Sequence, residues 1–156
     1  MTEFILITNY KLQITNYKLQ ITNYKLPMTI LETLKADYAR FPENQTYSIY
    51  AEDVYFQDAV FKFKGLELYK WMIKFIQTFF LNLKMDLHNI QQQENIIKTE
   101  WTLSWNSPLP WKPRISISGW SELRLNTEGL INSHIDYWNC SKFDVLKQHL
   151  FSANKG

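Results

Sequence analysis

Cysteine is almost missing from this sequence, since Cys140 is the single one among 156 residues. A lone thiol cannot form an internal disulfide, and free thiols are typical of reducing compartments, so we expect a cytoplasmic protein. Glycine is also scarce, and the four glycines form no phosphate-binding loop. No His, Cys and Asp residues follow the spacing of a metal site. We therefore expect no metal and no cofactor.

The sequence also lacks a large excess of either charge and a long uninterrupted apolar run. The formal net charge is only +2, so no strong field directs the protein to nucleic acid. Polar residues interrupt the longest apolar stretch, residues 66–83, whereas a membrane span needs about 20 mostly apolar residues. The N-terminus lacks the pattern of a secretion signal. What remains is a composition of 46% hydrophobic and 16% aromatic residues, which is typical of one globular domain with a sizeable core.

Residues 7–27 consist of three copies of a seven-residue unit, ITNYKLQ, ITNYKLQ and ITNYKLP. An odd period alternates faces in an extended chain, and in a helix it leaves only a narrow seam of Ile and Tyr. We therefore expect residues 1–27 to be an appended flexible tail. The alternative is a short coiled-coil or strand-adding arm. The folded domain is expected over residues 28–156.

Helix signals characterise the first half of this domain. Thr29 followed by Glu32 has the pattern of a capping box, and Pro42 stops the helix that begins there. A short second helix is expected over residues 44–52. Residues 66–81 predict a long helix with one narrow polar stripe. We expect this central helix to be buried around most of its circumference.

Strand signals characterise the second half. Residues 54–63 alternate as one short strand or a tight strand pair. Longer alternating segments predict further strands at residues 83–92, 96–106, 114–125 and 130–140. Because the helices come early and the strands late, the sequence predicts an α+β domain. Its curved antiparallel sheet would wrap on about three helices.

The last two predicted strands form a hairpin around which the domain is organised. Gly129 supplies the positive φ that the third residue of a three-residue loop requires. That loop sets Leu123 opposite Ser133 and leaves one apolar face, which ends in Tyr137 and Asn139. A two-residue loop would exchange the faces of one strand. The predicted opposite face carries Arg124, Glu122, Trp120, His134, Asp136 and Trp138.

Two local signals flank this hairpin. Gly119, inside its first strand, predicts a bulge or a sharp bend. Ser141 and Asp144 predict the cap of a final helix that reaches about residue 151. The inner edge of that helix is expected to consist of Phe143, Leu146 and Leu150.

Three motifs add a family resemblance to this order of elements. They are residues 50–58 (YAEDVYFQD), 63–65 (FKG) and 129–139, which end in DYWN. With them, residues 28–150 resemble the cone-shaped nuclear transport factor 2-like (NTF2-like, or SnoaL-like) superfamily. More narrowly, the chain is similar to a cyanobacterial and chloroplast family of unknown function. This fold hosts isomerases, dehydratases, cyclases and non-catalytic binding modules, so the resemblance implies no single activity.

The resemblance implies a ligand pocket at the mouth of the cone. Asp53 and Asp58 are the candidate carboxylates of this pocket. In aromatic surroundings the pKa of a carboxyl group rises, so that it could act as acid or base. The alternative is structural: Asp53 would cap a helix end and Asp58 would stabilise a turn. Similar sequences often carry Asp where this chain has Asn139, and an amide cannot take a proton. We therefore assign no catalytic residue. The candidate pocket residues are Tyr50, Asp53, Asp58, Trp101, Tyr137 and Asn139.

The outer face of the sheet is the candidate interface, and a homodimer is expected to form there. The candidate interface residues are Trp120, Glu122, His134, Asp136 and Trp138. Two functions stay open: a non-catalytic module that binds a small apolar ligand or another protein, and a cofactor-free lyase or isomerase that uses a pocket carboxylate. A cavity of roughly 300 Å³ or more with a convergent carboxylate favours a small-molecule site. A cone filled by its own aromatic side chains favours an interaction module.

Overall fold

The computed structural model describes residues 11–15 and 28–151. Residues 11–15 are helical and exposed, and the rest of the predicted flexible tail lies outside the described residues. The domain has the helices α1 (Ile30–Ala39), α2 (Leu66–Phe79) and α3 (Lys142–Phe151). Its strands are β1 (Tyr50–Gln57), β2 (Lys62–Lys64), β3 (Leu81–Gln93), β4 (Ile96–Asn106), β5 (Arg114–Leu125) and β6 (Ile131–Trp138).

The six strands form one sheet in the order β2-β1-β6-β5-β4-β3. Strands β1 and β6 run parallel, whereas the other neighbouring pairs are antiparallel. Helix α1 contacts β3, helix α2 contacts β1 and β2, and helix α3 contacts β5. The sheet curves over the helices without closing into a barrel, which confirms the predicted α+β cone. The sequence predicted a wholly antiparallel sheet, which was wrong for one pair, because β1 and β6 are parallel.

Helix α1 begins where the capping box predicts. The Thr29 hydroxyl accepts the backbone N–H of Glu32 at 3.2 Å, and the Glu32 carboxylate accepts the backbone N–H of Thr29 at 2.8 Å. These reciprocal bonds satisfy donors that the first helical turn leaves without partners. The helix ends at Ala39, ahead of Pro42, as predicted.

The helix predicted over residues 44–52 was wrong. The chain forms a single 3-10 turn, Tyr47–Ile49, and then enters β1. The buried carboxylate of Asp37 accepts the backbone N–H of Thr46 at 2.9 Å, which ties this segment to α1. From Tyr50 onward the chain pairs with β6. Partners distant in sequence thus override a weak local helix preference.

The remaining strand predictions are confirmed. Residues 54–63 form a strand pair, in which Phe56 lies opposite Phe63. In β4, alternate side chains are buried on the concave face, among them Trp101, Leu103 and Trp105. The hydrophobic core lies between this face and the helices.

The two glycines of the hairpin serve different purposes. Gly129 has a φ of 77° and its N–H donates to Asn126 O at 3.0 Å, which confirms the predicted three-residue loop. The prediction at Gly119 was a bulge or a sharp bend, and the unbroken strand pairing there excludes the bulge. A Cβ at Gly119 would lie 2.5 Å from Tyr137 O and 2.8 Å from the Trp101 ring. The glycine leaves room for that ring.

The predicted register of β6 was wrong because the strand contains a bulge. Leu125 pairs with Ile131, whereas Arg124 pairs with Ser133, so Asn132 is the extra residue. One extra residue turns all following side chains of the strand to the opposite face. The side chains thereby turned to the concave face are His134, Asp136 and Trp138, and those turned outward are Ile135 and Tyr137.

Helix α2 is buried on one side only, which corrects the expectation that it is buried around most of its circumference. The core side includes Tyr69 and Ile73. Leu68, Trp71 and Phe79 continue the apolar stripe of the helix but remain exposed, Trp71 to 59%. The sheet reaches one side of the helix, so the stripe is wider than the surface that covers it. No described helix has the length and apolarity needed to cross a membrane.

Helix α3 has the predicted cap, but its predicted inner edge is exposed. Ser141 Oγ accepts the backbone N–H of Asp144 at 3.2 Å. The helix docks on β5 through Gln148, whose side chain exchanges hydrogen bonds of 2.7 and 3.0 Å with the backbone of Ser116. That docking turns the predicted inner edge to solvent. The exposed residues are Phe143, Leu146 and Leu150.

Candidate functional site

An open cavity of about 380 Å³ lies between the helices and the concave face of the sheet. Aromatic and aliphatic side chains from all three helices and from β1, β4, β5 and β6 form most of its wall. The cone is therefore not filled by its own aromatic residues. The ionisable side chains that line the cavity are Asp37, Tyr38, Tyr50, Asp58, Tyr69, His134, Asp136 and His149.

A chain of hydrogen bonds crosses the wall from β4 to β6. Trp101 Nε1 donates to Ser121 Oγ at 2.8 Å, and Ser121 Oγ donates to Asp136 Oδ1 at 2.6 Å. His134 Nε2 lies 3.0 Å from the same Asp136 oxygen. The chain ends on the Asp136 carboxylate, which Ser121 and His134 contact directly and Trp101 reaches through Ser121. It forms because β4, β5 and β6 are adjacent and all four side chains face the cone.

His134 is buried among aromatic rings next to this carboxylate. It is 7% exposed, and its ring centroid lies 5.3 Å from that of Phe56, 6.0 Å from Tyr69 and 6.2 Å from Tyr50. Its second ring nitrogen, Nδ1, has no hydrogen-bond partner among the described residues. A buried polar atom without a partner costs free energy, which indicates that packing alone does not account for this histidine.

Three tyrosines add neutral hydroxyl groups to the cavity wall. The Tyr38 hydroxyl lies 2.8 Å from Thr99 Oγ1, and the Tyr50 and Tyr69 hydroxyls lie 3.2 Å apart. Burial raises the pKa of all three phenols above the ordinary value. They therefore stay protonated at neutral pH and can donate or accept a hydrogen bond.

Asp58 occupies the turn between β1 and β2 and lines the cavity. Its Oδ1 accepts the backbone N–H groups of Val60 and Phe61. Burial raises the pKa of the Asp58 carboxyl, the two backbone hydrogen bonds lower it, and the neighbouring charge of Asp136 raises it further. The net shift is upward. A carboxyl group of this kind takes up a proton more readily than an exposed aspartate does.

The structure brings together only part of the candidate pocket residues. Tyr50, Asp58 and Trp101 line the cavity. Asp53 lies outside it, with its side chain 72% exposed and its carboxylate 3.1 Å from Lys64 Nζ. Asn139 is exposed and lies next to Ser118 on the rim of the sheet, where its Nδ2 donates to Ser118 Oγ at 3.3 Å.

The bulge at Asn132 also divides the candidate interface residues. Trp120 and Glu122 stay on the outer face, where Trp120 stacks on Tyr137 with ring centroids 4.0 Å apart. Tyr137 thus lies outside the cavity, opposite to its predicted position. His134, Asp136 and Trp138, which were expected on the outer face, line the cavity instead. The cause in each case is the exchange of faces along β6.

Sequence reasoning missed Tyr38, Ser121 and Asp136 as cavity residues. The available signal was the spacing of His134 and Asp136, which share a face as a polar pair on an otherwise apolar hairpin. Exchanging the faces of β6 would have set this pair beside Ser121. No local pattern marks Asn132 as the bulged residue, so the choice between the two arrangements needed the tertiary structure.

Comparison with solved structures assigns the fold class: this is an NTF2-like α+β cone. A hypothetical protein of Catenulispora acidiphila with a ketosteroid isomerase-like fold, solved with trimethylamine, has a TM-score of 0.63 and 18% identity over 83% of this chain and 100% of its own. A candidate SnoaL-like polyketide cyclase of Jannaschia sp. CCS1 has a TM-score of 0.63 and 11% identity over 80% and 92%. An NTF2-like protein of unknown function from Burkholderia pseudomallei has a TM-score of 0.59 and 12% identity over 70% and 89%.

The sequence also matches a family model over residues 28–134. The chain belongs to this family of uncharacterised conserved proteins, DUF2358. No curated protein matches the chain. At these low identities the solved structures define the fold alone, because one fold hosts many chemistries.

Proposed function

We propose that this protein is a non-catalytic module that binds a small, mostly apolar molecule inside the cone. The observation that carries the proposal is the open cavity of about 380 Å³ with a mostly apolar wall and a few polar side chains. Binding sites for small molecules are typically concave, mostly apolar, and fitted with a few polar groups that orient the ligand. Here Asp58, Asp136 and Tyr38 would orient the ligand, while the aromatic wall would supply most of the affinity.

A neutral apolar dye tests this proposal directly. N-phenyl-1-naphthylamine fluoresces strongly in apolar surroundings, so it should bind the wild-type protein with one site per chain. The substitution Ile76→Trp enlarges a side chain that lines the cavity and should reduce dye binding by about tenfold or more, because the added ring occupies the ligand volume. The measurement is a fluorescence titration.

The matched control is Leu68→Trp on the same helix. Leu68 is exposed and does not line the cavity, so this variant adds the same indole group without filling the cone. Dye binding in the control should stay within about twofold of the wild type, since surface substitutions are nearly neutral. Equal loss in both variants, or no dye binding by the wild type, contradicts the proposal.

The alternative function is a cofactor-free lyase or isomerase, and the raised pKa of Asp58 favours it. The raised pKa of Asp58 brings this carboxyl closer to the range in which an acid or base works at neutral pH. A substrate that reached both Asp58 and Tyr38 would meet a proton acceptor and a hydrogen-bond donor. The two functions differ in turnover, because a binding module releases its ligand unchanged.

We also propose that two copies associate through the outer face of the sheet. The stacked pair Trp120 and Tyr137 supports this, because Tyr137 is exposed and Lys98 Nζ lies 5.7 Å from the Trp120 ring centroid. Aromatic residues with a charged rim are typical of interfaces. The homodimer, the cytoplasmic location and the cyanobacterial or chloroplast origin stay predictions.

A further inference from the structure

We propose that the molecule bound in the cone is an organic cation, an amine or quaternary ammonium compound with an apolar body. This inference rests on the proposed function, because it names the chemical class of the ligand for the same cavity. It is carried by the charge of the cavity wall together with the aromatic rings beside the carboxylates.

The charges that line the cavity have one sign. Asp37, Asp58 and Asp136 line it, whereas no lysine or arginine of the described residues does. The carboxylate of Asp37 is already paired with Arg40. Asp58 and Asp136 therefore remain without a lysine or arginine partner, although Asp136 is bonded to the His134 ring. Both carboxylates are half-buried in a mostly apolar surrounding, where a charge is costly unless it is paired. A cationic ligand would supply that pair, while an anionic ligand would be repelled.

Each of these two carboxylates keeps one oxygen available for a ligand. Both protein donors to Asp136, Ser121 Oγ and His134 Nε2, bond to Oδ1. Both donors to Asp58, the backbone N–H groups of Val60 and Phe61, also bond to Oδ1. Among the described residues, neither Oδ2 has a hydrogen-bond partner. Gln57 pairs with Ile135 in the parallel strands β1 and β6, so Asp58 and Asp136, the residues that directly follow them, lie on the same side of the cavity.

Aromatic rings surround the same end of the cavity. Tyr50, Phe56 and Tyr69 line it and pack against one another, with centroid separations of 4.8 Å for the two tyrosines and 5.6 Å for Phe56 and Tyr69. Aromatic faces attract organic cations through the ring quadrupole, and the attraction grows when the cation is desolvated. Two carboxylates beside aromatic rings thus provide both elements that an ammonium group requires.

The test compares probes of nearly one shape and different charge. Phenyltrimethylammonium and tert-butylbenzene differ only in a cationic nitrogen in place of a carbon, and benzenesulfonate supplies the anion. Each probe is titrated against bound N-phenyl-1-naphthylamine. We expect the cation to displace the dye at a concentration about tenfold or more below that of its neutral isostere, and the anion to be the weakest probe.

Substitutions of single carboxylates then show which residues cause the preference for the cation. Asp136→Asn and Asp58→Asn should each reduce cation affinity by about tenfold and leave tert-butylbenzene within about twofold, because only charge is removed. Asp53→Asn is the matched control, since Asp53 lies in β1, the strand that Asp58 follows, but is outside the cavity. This control should keep the wild-type preference.

The affinity of the wild-type protein for the cation can also be measured as a function of pH, which does not depend on whether a variant folds. Phenyltrimethylammonium keeps its charge at every pH, so any change belongs to the protein. Acid removes negative charge from Asp37, Asp58 and Asp136 and adds positive charge to His134 and His149, and each change weakens cation binding. Because the Asp58 pKa is raised, the preference for phenyltrimethylammonium over tert-butylbenzene should begin to fall at a pH above that at which exposed aspartates titrate.

The outcomes separate this inference from the proposed function. If Ile76→Trp abolishes dye binding but the wild type binds the cation and its neutral isostere equally well, the proposal of a cationic ligand is wrong. The proposal of a binding module then still holds. A wild-type preference that persists in both Asp58→Asn and Asp136→Asn also overturns the proposal of a cationic ligand. Absence of both dye and cation binding contradicts the two proposals together.

Discussion

Single residues decide whether the cone stays open. Gly119 makes room for the Trp101 ring, and Trp101 in turn donates to Ser121, which holds Asp136. Removing space at one position therefore disturbs a polar chain that spans three strands. Asn139, a candidate pocket residue, contributes little to the cavity because its side chain lies outside it.

The substitution Gly119→Ala should destabilise the protein by about 1–3 kcal/mol, because its Cβ would lie 2.5 Å from Tyr137 O and 2.8 Å from the Trp101 ring. Urea denaturation followed by tryptophan fluorescence measures the change. Ser116→Ala on the same strand is the control, since the side chain at 116 is exposed, and it should change stability by less than about 0.5 kcal/mol. Equal stability of Gly119→Ala and wild type would show that the ring moves without cost.

At the scale of elements, the local patterns of helix α2 and strand β6 do not predict which of their side chains face the cavity and which face solvent. The bulge at Asn132 turns His134 and Asp136 into the cone. Helix α2 buries its core side and leaves an aromatic row in which Trp71 stacks on Phe75 at 5.9 Å. An amphipathic helix is stabilised by the face that packs, so the exposed part of this row should contribute little to stability.

Trp71→Lys should therefore change the free energy of unfolding by less than about 0.5 kcal/mol, whereas Ile73→Lys, two residues away, should cost more than about 4 kcal/mol. Ile73 is fully buried, and an uncompensated charge there has no partner. Thermal and urea melts of the two variants supply the comparison. A large loss in Trp71→Lys would indicate that this surface is covered in the folded protein.

At the scale of the whole molecule, the cone is held by contacts within residues 28–151. The buried apolar residues of the described chain run from Leu34 to Ile131. They join the helices to one face of the sheet in two clusters, one beneath α1 and α2 and the other around the tryptophans of β4. The repeats of residues 7–27 precede every one of these core residues.

Deletion of residues 1–27 should thus leave the melting temperature nearly unchanged, because no described core contact is lost. Differential scanning calorimetry of the full and shortened chains measures this. A loss of more than about 4 °C, roughly 1 kcal/mol for a domain of this size, would show that the repeats dock on the fold.

The sequence by itself determined the caps of helices α1 and α3, the alternating strands and the three-residue loop, because each depends on neighbours a few residues apart. The family resemblance added the cone. Only the tertiary structure decided that Asn132 bulges, that α2 is covered on one side, and that Asp136 rather than Asp53 lines the cavity. These features depend on which distant segments meet. A one-residue shift in a strand costs little locally, yet it moves every following side chain to the other side of the sheet.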